Sequence, residues 1–162
     1  MEKFTQKWAV IALLEEVDEG SEFYYTDFPL HVTLAGVFKI DQEGSWLAKE
    51  LVDILAGQKA FSVTTDIKDM FGPNKDVAVM KIVKTPELMD LYSKIHNWLL
   101  ASGAIYNEPE YQGAGYLPHS TFQKSDLLKE GEIKHIKSIS IIDLFPNGDG
   151  YQRKVFKTIE LE

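Results

Sequence analysis

Short apolar runs alternate with polar breaks along the chain, and two of those runs carry the same pair of polar side chains. Residues 9–14 are wholly apolar and read as a strand buried on both faces. Residues 15–26 are polar and aromatic, are broken at Gly20 and Ser21, and read as a loop. Residues 30–39 predict a strand in which Leu30, Val32 and Leu34 alternate with His31 and Thr33. Side chains two apart on a strand share a face, so His31 and Thr33 point the same way while the aliphatic residues are buried. Gly44 and Ser45 then open a helix, with Leu47, Leu51, Ile54 and Leu55 at helical spacing and Gly57 at its end. Residues 61–69 and 77–83 form a hairpin around Phe71, Gly72 and Pro73.

Thr85, Pro86 and Glu87 supply a cap, a pre-set first turn and an acid at the positive end of a second helix. Its buried stripe is Leu88, Leu91, Tyr92, Ile95 and Leu99, and Gly103 stops it. Residues 106–115, rich in Gly, Tyr and Glu, read as a loop. Residues 116–123 predict a second strand of the first kind, with His119 and Thr121 on one face and Pro118, Ser120 and Phe122 on the other. A short helical turn is expected in 125–132, and a closing hairpin in 133–144 and 152–161. These elements predict an α+β fold: two pseudo-symmetric antiparallel sheets, flanking helices and a cleft between the lobes. All of 1–162 is expected to form one domain, with an approximate repeat of 30–83 in 118–161.

The totals narrow the partners. The chain has 162 residues, enough for one domain with a core. It has no cysteine, which removes disulfides, thiolate metal sites and cysteine nucleophiles, and suits a reducing cytoplasm. No apolar run approaches the roughly 20 residues of a membrane span. Net charge is -8 and Arg153 is the single arginine, so no basic face for long nucleic acid is legible. A small ligand, or the short end of a larger one, is expected in a local pocket of a monomer.

Two imidazoles with hydroxyl companions suit paired acid–base work. Cleaving a phosphodiester in line needs a base on the attacking oxygen and an acid on the leaving oxygen. His31 and His119 fill those roles, since histidine titrates near neutrality. Thr33 and Thr121 can donate to the non-bridging oxygens. This scheme needs no metal and no cofactor. A zinc site would need a third ligand, and the chain has no His-x-x-x-His pair. Phe71, Tyr111, Tyr116 and Tyr151 are candidates for stacking on a base, although packing alone also accounts for each. Lys81 and Arg153 can lend charge near a phosphate, although a solvated strand face also accounts for each, and His96 and His135 read as structural or solvent-facing residues.

The segments His31-Val32-Thr33-Leu34 and His119-Ser120-Thr121-Phe122, in this order of elements, resemble the paired signatures of the two-histidine (2H) phosphoesterase superfamily. That superfamily includes 2′-5′ RNA ligase-like proteins and cyclic nucleotide phosphodiesterases. The resemblance implies a bilobal, metal-independent fold that hydrolyses a 2′,3′-cyclic or related phosphodiester. It makes His31 and His119 catalytic and Thr33 and Thr121 phosphate-binding. Ser120 departs from the apolar residue more usual there, on the face turned from the cleft. Other outcomes compatible with the same residues are a silent nucleotide- or RNA-end-binding module, 2′-5′ RNA ligation, and cleavage of cyclic signalling nucleotides.

Overall fold

A computed structural model describes residues 7–122 and 128–162. In chain order the elements are β1 (Trp8–Leu13), β2 (Glu22–Tyr24), β3 (His31–Lys39), α1 (Gly44–Ile54), β4 (Phe61–Phe71) and β5 (Val77–Ile82). They continue with α2 (Pro86–Ala101), β6 (Ile105–Tyr106), β7 (His119–Thr121), β8 (Ile133–Ile136), β9 (Ser138–Asp143) and β10 (Gln152–Glu160). The strands form two sheets: a larger one in the order β2-β10-β9-β1-β3-β6 and a smaller one in the order β7-β5-β4-β8. All pairings are antiparallel. The α+β class and the two antiparallel sheets expected from the pattern are present. Among the described residues, no helix is long and apolar enough to cross a membrane.

β1 is buried along its whole length because it lies inside the larger sheet with both faces covered. Trp8, Val10 and Ala12 enter the main core beneath the helices, with Leu47 and Leu51 of α1 and Leu88, Leu91, Ile95 and Leu99 of α2. Ala9, Ile11 and Leu13 enter a second cluster on the opposite face, with Ile142, Val155 and the overlying Phe23 and Phe28. Val10, Ile11 and Leu13 each contribute roughly 1.5–3 kcal/mol on burial, so covering both faces makes β1 the fixed centre of the sheet.

Both helices start as the local chemistry dictates. The Thr85 hydroxyl accepts a hydrogen bond from the Leu88 amide at 3.3 Å, with Pro86 in the first turn. Gly44 opens α1 for a packing reason. A Cβ built there would stand 2.6 Å from the Phe156 ring and 2.7 Å from that of Trp8.

Three expectations need correction. The stretch read as loop at 15–26 contains β2, which pairs with β10, and a 3₁₀ turn at Tyr25–Asp27. Phe23 gives it a side chain to pack on the second cluster, and the polar content around it hid that. The loop at 106–115 likewise begins inside β6, paired with Phe38 and Lys39. The closing hairpin does not begin at 133. The chain changes sheets at Lys137: β8 joins β4, while β9 joins β1 and β10. A one-residue break between Ile-rich strands leaves no turn signal to read. The second motif strand is only three residues long, and its expected end at Gln123, like 125–127 of the expected helical turn, lies outside the described residues.

Two features bring the sheets together. Met80 of β5 forms a small buried cluster with Leu30 and Leu14, which flank β3 and β1, and with Leu128 and Phe122. The Tyr116 hydroxyl, just before β7, donates to the Thr33 carbonyl of β3 at 2.7 Å.

Candidate active site

In β3, Val32 and Leu34 are fully buried in the main core, while His31 and Thr33 are half-buried on the other face. His31 stands opposite Leu13, and Thr33 opposite Ile11. β7 repeats the arrangement. Ser120 is wholly buried opposite Met80, and His119 and Thr121 are half-buried on the other face, opposite Lys81 and Val79. The alternation read from the sequence is therefore the alternation in the structure. Strands β3 and β7 pack against each other.

Both imidazoles are held by the same device. His31 Nδ1 lies 2.7 Å from the Pro29 carbonyl, and His119 Nδ1 lies 2.7 Å from the Leu117 carbonyl. A carbonyl oxygen can only accept, so Nδ1 carries the proton in each ring. Each Nε2 is then left as the basic atom of a neutral imidazole. Rings hold the orientation further. Phe28 lies 4.1 Å from the His31 ring at a 33° tilt, and Phe71 meets the His119 ring edge-on at 4.8 Å.

Burial dominates the electrostatics of both rings. Burial lowers the pKa of His31 from 6.5 to about 4; the Pro29 hydrogen bond opposes that shift, and the charge of His119 adds to it. Burial also lowers the pKa of His119, opposed by its bond to the Leu117 carbonyl. Without ligand, both rings are neutral at pH 7.

A stability prediction arises here. The folded pKa of His31 lies below the unfolded value, so the unfolded chain holds more protons between about 4 and 6.5. The stability associated with neutral His31 is complete above 6.5 and is lost as pH falls through that window. The loss is about 3 kcal/mol by linkage. Urea unfolding at pH 7 and pH 4 checks this. The decline is expected to be smaller by about that amount in His31→Asn, and an equal decline would refute it.

The other expected residues separate. Phe71 lies in the site against His119. Tyr116 does not offer a face to a ligand. It is 6% exposed, stacks on Tyr92 at 3.7 Å and spends its hydroxyl on Thr33. Tyr111 is exposed on the 3₁₀ turn at Pro109–Tyr111. Tyr151 belongs to a separate exposed cluster with Tyr24 and Tyr25. His96 sits in a ring ladder between Tyr92 and Tyr106, with Nδ1 3.2 Å from the Tyr106 hydroxyl, and His135 pairs with the Ser62 hydroxyl on the surface. Among the described residues, no three His, Asp or Glu side chains gather closely enough to hold a metal ion.

Sequence reasoning missed Phe28 and the two carbonyls. The signal was available only by comparing both motifs, since each histidine uses the carbonyl two residues before it. Of the two readings of Lys81, charge near a phosphate and a solvated strand face, strand register favours the first by setting Lys81 directly opposite His119.

Two antiparallel sheets meeting where each presents a His-x-Thr strand define the class of two-histidine phosphoesterases. The chain belongs to the 2′-5′ RNA ligase superfamily, whose family model matches residues 5–137 and so spans both motifs. It is similar to a Bacillus licheniformis protein whose name carries the word phosphoesterase, with 27% identity over 129 residues, covering 75% of this chain and 72% of that one. Its fold is similar to that of E. coli LigT in two crystal structures. The complex with 3′-AMP has a TM-score of 0.59 at 15% identity, covering 96% of this chain and 98% of the other. The complex with NADP+ has a TM-score of 0.60 at 15% identity, covering 96% and 97%.

Proposed function

We propose that this protein is a metal-independent phosphodiesterase acting on 2′,3′-cyclic phosphates or related short phosphodiesters. One observation carries the reading: two half-buried imidazoles on the packed strands β3 and β7, each fixed through Nδ1 by the carbonyl two residues earlier, each with a threonine on its face. The LigT complexes with 3′-AMP and NADP+ support a nucleotide as the occupant of such a cleft. The strand order supports one domain whose cleft is built from two halves, with β3 beside β1 and then β9, and β7 beside β5 and then β4.

His31 is the base and His119 the acid in this reading. His31 stays neutral over the physiological range because its pKa is held at about 4. An arriving phosphate brings negative charge that raises the pKa of both rings, and His119 takes the proton. Water attacks phosphorus and loses a proton to His31 Nε2. The bond from phosphorus to one ribose oxygen breaks, and His119 Nε2 gives that oxygen its proton. The product is a phosphomonoester with a free neighbouring hydroxyl. The Thr33 and Thr121 hydroxyls donate to the non-bridging oxygens, with the Lys81 ammonium group on the same face.

A panel of cyclic and linear nucleotides, incubated with the protein in EDTA and read by mass spectrometry, tests the reading. Ring-opened monophosphate is expected. The profile of kcat/KM is expected to be bell-shaped with its optimum below pH 6.5, because both free-enzyme pKa values lie below that point. Activity lost in EDTA and restored by zinc would overturn the metal-independent scheme. Nucleotide binding without turnover, equal in the parent, His31→Ala and His119→Ala, would make the protein a binding module. Joined 2′-5′ products from cyclic-ended fragments would make it a ligase.

A further inference from the structure

The chain exposes three tyrosines in one place. Tyr24 and Tyr25 are 43% exposed and Tyr151 is 64% exposed. The Tyr24 and Tyr151 rings lie 6.3 Å apart and nearly parallel at 11°, and Tyr25 meets them at 5.0 and 6.1 Å. The Tyr25 amide donates to the Tyr151 carbonyl, so the backbones on either side of the patch are tied together. Arg153, the only arginine in the chain, places its guanidinium 5.9 Å from the Tyr25 ring centroid. Its Nη1 donates to the carbonyls of Leu144, Gly150 and Gln152, which fixes the planar cation in place.

The patch connects to the histidines. Arg153 pairs in register with Phe23, the Phe23 ring lies 4.9 Å from Phe28, and Phe28 lies 4.1 Å from His31. Phe28, Phe23 and the paired Arg153 thus lead in turn from His31 to the exposed Tyr25.

We infer that the Tyr24–Tyr25–Tyr151 patch with Arg153 binds the bases of a short single strand whose terminal phosphate lies between His31 and His119. The inference rests on the phosphodiester reading and narrows it to oligonucleotide ends. Aromatic faces beside a fixed guanidinium suit bases, which present a π-face whatever their sequence. An aliphatic partner surface would be met by aliphatic residues, and these are rings with polar tips. The net charge of -8 excludes a long electrostatic footprint, so stacking dominates and the salt dependence of binding is shallow.

Two substrates separate the inference from the reading beneath it: a nucleoside 2′,3′-cyclic monophosphate and a five-nucleotide RNA ending in the same group. The parent is expected to favour the RNA in kcat/KM by roughly tenfold. Tyr24→Ala and Tyr151→Ala are expected to abolish that preference, since both side chains are exposed and their loss leaves the core intact. A preference unaltered in both variants would overturn the inference while leaving the histidine chemistry standing. If neither substrate is turned over, the hydrolase reading falls and binding decides this one. A labelled five-nucleotide RNA ending in a 3′-phosphate is then measured by fluorescence anisotropy. A roughly tenfold weakening in Tyr151→Ala supports the inference, and equal affinity overturns it. So does a patch that proves to join two copies, with dimer lost in Tyr151→Ala and RNA affinity unchanged. Circular dichroism of each variant confirms that it is folded.

Discussion

Replacing His119 by alanine is expected to lower turnover of a 2′,3′-cyclic nucleotide by roughly 10²–10⁴-fold, the usual contribution of one positioned acid or base. The same is expected of His31→Ala. Nδ1 of each ring is already held at 2.7 Å by a carbonyl, so the missing group is the one that would have moved the proton. The two losses are not expected to multiply. Base and acid act on opposite ends of one displacement, and the double variant should lie close to the worse single variant. Single-turnover assays of the three variants and the parent decide this, with nucleotide affinity measured alongside. Unchanged turnover in either single variant would remove that histidine from the reaction.

Thr33→Val and Thr121→Val are expected to lower kcat by roughly 10²–10³-fold each, the loss found when one donor to a developing oxyanion is removed. Valine keeps the shape and the β-branched strand preference, so the variants isolate the hydroxyl. Both positions are half-buried on the histidine face of their strands. The split between kcat and KM is informative. A donor engaged mainly in the transition state lowers kcat with little change in KM, and a raised KM at constant kcat would assign the hydroxyl to ground-state binding instead.

Most of the site was legible because strand alternation is a two-residue rule. His31, Thr33, His119 and Thr121 sit where i and i+2 put them, and Val32, Leu34 and Ser120 face the interiors. Helix α2 was legible for similar reasons, from the Thr85 cap through the stripe ending at Leu99. What failed depended on partners distant in sequence. β2 is a strand only because β10 lies beside it, some 130 positions later. The change of sheets at Lys137 is invisible because Ile133, Ile136, Ile139 and Ile141 look alike until two separate neighbours claim them. The approximate repeat of 30–83 in 118–161 rested on the order of elements. In the sheets, β5 is the neighbour of β7, whereas β9 and β1 stand between β10 and β3. Tyr116 shows the limit for side chains: nothing in its sequence setting says that its hydroxyl would be taken by the Thr33 carbonyl.

The cluster of Leu30, Met80 and Leu128 is small beside the main core, yet it lies where the two sheets meet, and each sheet carries one imidazole. On the proposed reading, the gap a phosphate would span is therefore set by aliphatic volume outside the reacting groups. A methylene lost or gained at Met80, one residue from the cross-strand neighbour of His119, would retune the distance between acid and base with every reacting group intact. Under the proposed function, ordinary hydrophobic substitutions there would change which phosphoester fits.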